Sequence, residues 1–181
     1  MTRLLPAAER VAVPWRNGGG VTREIAALPE GAGMEEFDWR VSLAEVAADG
    51  PFSAFPGVDR ILTLVEGAGM DLTVGGERRL VDSRYAPGEL RGDVPTDCRL
   101  LDGPVVNLNV MWRRHGGRTS PTVAVVRGRL PLPAGPALLV ALDGPAEVAG
   151  LTLGPYDAVL SSGEGAVLHA VGRTAVIGLA R

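Results

Sequence analysis

Short apolar runs, some of them alternating with polar positions at a period of two, recur along the chain, the pattern of buried and half-buried strands. They predict strands at 22–27, 38–46, 60–65, 70–74, 77–81, 98–101 and 105–112. A second series follows at 122–127, 137–143, 146–148, 151–153, 157–161, 166–170 and 174–180. Gly (25 residues) and Pro (14) are spread between these runs instead of gathering in one linker, which is how an antiparallel barrel or sandwich is punctuated. No window of about a dozen residues sustains a helical period, so the expected fold is all-β with few short helices.

The two series repeat each other weakly. LTLVEGAGM (62–70) lies over LVALDGPAE (139–147), matching Glu66-Gly67 to Asp143-Gly144. DGPVVNLNV (102–110) lies over VGRTAVIGL (171–179), matching Gly103 to Gly172. A turn of one chemistry followed twice by similar strand spacing points to a duplicated barrel. The expected division is residues 1–118 and 119–181, two barrels packed as one unit that do not fold separately.

Composition narrows the partners. Hydrophobic residues make up 46% of the 181, enough for a packed core, and the net charge of −3 leaves no electrostatic footprint for nucleic acid. All 18 basic residues are Arg. The single Cys98 closes no internal disulfide and reads as a buried structural thiol, which suits a reducing cytosol. The opening MTRLLPAAER lacks the apolar run of a signal peptide, and the apolar stretch 130–142 is too short and proline-rich for a span. A cytoplasmic protein without membrane contact is expected.

Candidate chemistry is sparse. A metal centre of the kind barrels carry needs several imidazoles on one ion, and the chain has only His115 and His169, one in each half, so no metal or other cofactor is expected. His169 sits in an apolar strand and reads as a core histidine. In VVNLNVMW, period two sets Asn107, Asn109 and Met111 on one face and Val106, Leu108, Val110 and Trp112 on the other. Asn is a poor strand former, so two in one strand suggest a polar lumen, the alternative being two solvent-facing amides. Arg23, Arg40, Arg60 and Arg113 lie on or beside N-terminal strands, where a guanidinium can grip a carboxylate or simply pair with a neighbouring acid. Arg60 is the preferred clamp. Glu24 shares a face with Thr22 and not with Arg23.

Three segments, WRNGGGVTREI (15–25), residues 37–70 and LLDGPVVNLNVMWRR (100–114), resemble the HutD/Ves family of small bicupins associated with bacterial histidine utilisation. The resemblance implies a cupin-like double-stranded β-helix duplicated as a bicupin, with a small-molecule pocket in the N-terminal barrel. It also implies a sensing or regulatory role tied to formylglutamate. The chain departs from the family at Asn107, where Asp is usual, and at Trp112, where Thr is common. With the family in view, Gly18, Gly19 and Gly20 read as close backbone approach to a ligand. The expected ligand-binding set is Asn17, Gly18, Gly19, Gly20, Thr22, Glu24, Arg60, Asn107, Asn109 and Met111. The expected function is non-metal, non-catalytic binding of a small carboxylated metabolite, with a homodimer left open. The alternative is a metal-independent isomerase or lyase acting on a small acid or sugar, with Glu24 or His115 as acid or base.

Overall fold

The alternating runs become antiparallel strands in the computed structural model, which describes residues 2–114, 119–163 and 165–179. The strands are β1 (Thr2–Leu5), β2 (Ala12–Pro14), β3 (Gly20–Leu28), β4 (Trp39–Val46), β5 (Gly50–Phe52), β6 (Val58–Glu66), β7 (Met70–Val74), β8 (Glu77–Val81) and β9 (Gly88–Arg91). They continue as β10 (Thr96–Leu100), β11 (Val105–Arg113), β12 (Thr122–Pro131), β13 (Ala137–Ala141), β14 (Ala146–Val148), β15 (Leu151–Leu153), β16 (Ala158–Ser161) and β17 (Val167–Gly178). Ala7–Glu9 forms a 3₁₀ turn, and no helix among the described residues is long and apolar enough to cross a membrane.

The chain divides into two units, Val11–His115 and Met1–Arg10 with Gly116–Arg181. The first ten residues therefore leave the expected N-terminal half: β1 pairs antiparallel with β16, from Thr2↔Ser161 to Leu5↔Ala158. Strands β1, β2, β5 and β9, three or four residues each, are not among the predicted strands. Pairing, not local propensity, makes a Pro-containing AVP or GPF a strand.

In the unit of residues 11–115, a six-stranded sheet (β2-β3-β4-β11-β6-β9) faces a four-stranded one (β5-β10-β7-β8). Val46, Leu62, Leu64, Leu90 and Val105 of the first sheet meet Met70, Leu72 and Cys98 of the second in one buried cluster. A smaller cluster of Phe37, Val58 and Met111 closes the other end.

The second unit curls one seven-stranded sheet (β1-β16-β13-β17-β14-β15, with β12 also on β17) around an apolar filling. Leu132, Leu139, Val148, Leu153, Val159, Leu168 and Val176 occupy its interior. Two predicted strands merge here into β17, which stays extended past Gly172 while β12 shifts register between Val126 and Gly128.

The internal repeat has a structural counterpart. A Cβ on Gly67 would lie 2.6 Å from the Pro104 carbonyl, and one on Gly144 would lie 2.8 Å from Gly172 Cα. Each Glu/Asp-Gly turn thus packs its bare backbone at the start of, or within, the matching later strand, which only a residue without Cβ permits.

Candidate functional site

Register sets the inner face of the six-stranded sheet row by row, because cross-strand partners share a face. One row holds Thr22, Ala44, Asn107 and Leu64; the next holds Glu24, Ser42, Asn109 and Leu62; the third holds Arg40, Met111, Arg60 and Leu90. Thr22, Glu24, Arg60, Asn107, Asn109 and Met111 from the expected set are brought together on this face. The polar members form a belt between the two apolar clusters. Asn107 is 1% exposed, so the solvent-facing alternative for it does not hold. Thr22, Glu24, Arg40 and Asn109 are half-buried, which leaves water a route to the belt from the β3 side.

Several polar atoms in the belt lack partners. Arg60 Nε, Asn107 Oδ1 and Asn109 Oδ1 are buried without a hydrogen bond. Asn107 Nδ2 reaches only the Met70 sulfur, at 3.6 Å. Buried polar groups are ordinarily satisfied, so three such atoms on one face single it out as the candidate site; Arg10 Nε, Thr63 Oγ1, Asp93 Oδ1 and Thr174 Oγ1 are buried without a hydrogen bond elsewhere.

Arg60 is 5% exposed, and no carboxylate among the described residues lies in salt-bridge range of it. Its guanidinium instead lies over the Phe52 ring, 5.1 Å from the centroid. Burial pushes its pKa down to about 10, which still leaves a cation at neutral pH. Arg23 and Arg40 pair with neighbouring acids, and Arg113 does not among the described residues. Arg23 pairs with Glu45 at 3.5 Å, and Arg40 Nε donates to Glu24 Oε2 at 2.6 Å. Arg113 lies over Phe37 and donates to the Met34 carbonyl.

The glycine turn sits at the rim. Asn17 is exposed, and its Oδ1 accepts the Gly19 amide at 2.9 Å; the Gly18 amide donates to the Trp15 carbonyl at 3.0 Å. The amides of Gly18 and Gly19 are therefore spent within the turn and not on a ligand. Gly20 has another reason to be glycine: a Cβ there would meet the Glu45 carbonyl and stand 3.0 Å from the Trp15 ring. Trp15, which the sequence reading passed over, donates Nε1–H to Thr22 Oγ1 at 2.8 Å and packs edge-on against Phe52, centroids 6.3 Å apart. Trp15 and Phe52 thus connect Thr22 to Arg60.

A cavity of about 180 Å³ opens where the edge strands β8 and β9 approach, with Leu62, Leu80, Val81 and Leu90 among its walls. Leu62 and Leu90 adjoin Arg60 on the inner face, although Arg60 itself is not in the cavity wall.

Metal ligation has no footing in this belt. It offers two guanidiniums, two amides, a thioether and one carboxylate already bound by Arg40, a poor donor set for a divalent ion. Among the described residues no group of three His, Cys, Asp or Glu could hold one. His169 is exposed, correcting its reading as a core histidine, with Arg129 and Glu147 as cross-strand neighbours; His115 lies outside the described residues. Cys98 is buried, and its thiol is pushed up to about 11 by desolvation and then by the charge of Asp49.

The HutD family model matches residues 7–177. Protein Ves of Cronobacter sakazakii is 39% identical over 111 residues, 61% of this chain and 60% of that protein. An uncharacterized 21.2 kDa protein in the hutC 3′ region of Pseudomonas putida is 36% identical over 110 residues, 61% of this chain and 57% of its own. The chain thus spans about six tenths of the length of the curated relatives it matches. The structure of HutD from Pseudomonas fluorescens SBW25, solved in a formate condition, superposes with a TM-score of 0.86 at 33% identity, covering 100% of both chains. At the level of fold alone, a nickel-bound bacterial pirin from Escherichia coli (TM-score 0.71, 11% identity, 99% of both chains) and a cupin 2 barrel protein from Leptotrichia buccalis (0.59, 14%, 92% of both) are similar.

Proposed function

The chain belongs to the HutD family, and from that premise we propose that it is a non-metal, non-catalytic binding protein for a small carboxylated metabolite, acting as a sensor or regulator in histidine utilisation. The observation that carries this reading is Arg60, a buried cation with no carboxylate partner among the described residues. A guanidinium in that state is a ready receptor for a ligand carboxylate, since both charge and hydrogen bonds are then satisfied at once. Asn109 and Asn107 supply unpaired amide oxygens one and two rows away, respectively. Those oxygens suit a ligand N–H, and formylglutamate brings a formamide N–H together with its carboxylates. The placement of a relative in a hutC region supports the pathway.

Titration calorimetry with formylglutamate tests the reading. Wild-type protein binds it, and Arg60→Ala loses about ten- to a hundredfold in affinity, the worth of one charge-assisted hydrogen bond. Unchanged affinity in Arg60→Ala removes the site. Consumption of formylglutamate during the same incubation would make the protein an enzyme instead.

A further inference from the structure

Two guanidiniums face the same lumen, and they are in opposite states. Arg40 and Arg60 occupy one row, flanking Met111 on adjacent strands. Strand spacing sets their backbones about 10 Å apart, within converging reach of two long side chains. Arg60 has no acid partner among the described residues, whereas Arg40 is bound by Glu24 at 2.6 Å.

We propose that Glu24 is the specificity-determining residue of this site, an internal carboxylate that a ligand's second carboxylate must displace from Arg40. The proposal rests on the carboxylate-binding reading above. Charge counting supports it. The three rows of the belt carry two cations and one anion, a net +1 that a single carboxylate neutralises. The facing residues Met70, Leu72, Cys98 and Phe52 add no charge at neutral pH. Exposure decides which partner moves: the Glu24 side chain is 36% exposed and that of Arg40 is 15%, so Glu24 can leave into water while Arg40 stays at the lumen wall. Displacement exchanges one carboxylate for another on the same guanidinium and leaves no buried charge unpaired.

The experiment compares formylglutamate with formylglutamine, in which a neutral carboxamide replaces the second carboxylate. Both are titrated into wild-type protein and Glu24→Gln, which is nearly isosteric and has a melting curve as its folding control. The preference for formylglutamate over formylglutamine is expected to rise about tenfold in Glu24→Gln, and the rise should vanish when Arg40→Gln is added. An unchanged or lowered preference overturns the assignment, as does a rise that persists without Arg40. Both outcomes leave the Arg60 site standing. Failure of formylglutamate to bind either protein removes the carboxylate-binding reading and this inference with it.

Discussion

The guanidinium of Arg60 rests on the face of Phe52, 5.1 Å from the ring centroid, with no acid among the described residues beside it. Arg23 and Arg40 instead pair with Glu45 and Glu24, and Arg113 adds a carbonyl acceptor to its own ring contact with Phe37. A cation–π contact of this kind contributes about 0.5–2 kcal/mol. Burial holds the Arg60 pKa down at about 10, a cost on the order of 3 kcal/mol, so the free protein holds this charge at a loss.

Replacing Arg60 with Met, similar in length and uncharged, should therefore stabilise the unliganded protein by about 1–3 kcal/mol at neutral pH while removing carboxylate binding. Urea unfolding beside calorimetry measures both. A variant that unfolds more readily than wild type would assign Arg60 to holding the barrel together.

The pH dependence of that cost has a defined sign. Arg60 is a base whose folded value lies below its unfolded one, so the cost is fully present below about pH 10 and disappears as pH rises from there toward the unfolded value. Binding needs the cation. Affinity for a carboxylate should stay level from about pH 7 to about pH 9 and fall above about pH 10. Calorimetry across that range checks it, and a fall centred near neutral pH would point to a different group.

How much of this was legible in the sequence depends on how local the cause is. The Asn107–Met111 alternation is a property of a single strand, and both the register and the burial of Asn107 agree with it. The repeat was legible through Gly67 and Gly144, whose missing Cβ atoms are required by close backbone contacts. Choosing among Arg23, Arg40, Arg60 and Arg113 was not decidable by any count, since it depends on which acids the folded sheet puts within reach. The role of Trp15 was hidden for the same reason: its partners Thr22 and Phe52 reach it only through the hairpin and the facing sheet. His169 misled because the start of β17, Val167–Val171, is otherwise apolar on both faces, yet only the face of Leu168 and Ala170 is buried there.

The glycine turn should divide cleanly by position. Gly20→Ala drives a methyl into the Glu45 carbonyl and the Trp15 ring, an overpacking that should cost about 1–3 kcal/mol and disturb Trp15 fluorescence. Gly18→Ala meets no atom within 4 Å and costs only its left-handed φ of 72°, about 1 kcal/mol. Paired melting curves test the order. Equal losses would mean that backbone conformation alone, and not the approach of β3 to β4, makes this turn glycine-rich.

Asn107→Asp tests the innermost end of the belt. The side chain is buried and its oxygen unpartnered, so a carboxylate there has no donor waiting and desolvation raises its pKa above the ordinary value near 4. For an acid whose folded value is raised, the penalty is absent below the unfolded value and grows as pH climbs through the folded one. The variant should match wild-type stability near pH 4 and lose about 1–3 kcal/mol by neutral pH. Affinity for a carboxylate ligand should decline over the same interval, because the new charge repels the incoming anion, while wild-type affinity stays level. Urea melts at several pH values and parallel titrations give both curves. Stability that is flat with pH would mean the carboxylate has found a donor in the lumen, and affinity that is flat with pH would put the ligand out of reach of Asn107, toward Asn109 and the half-exposed β3 side.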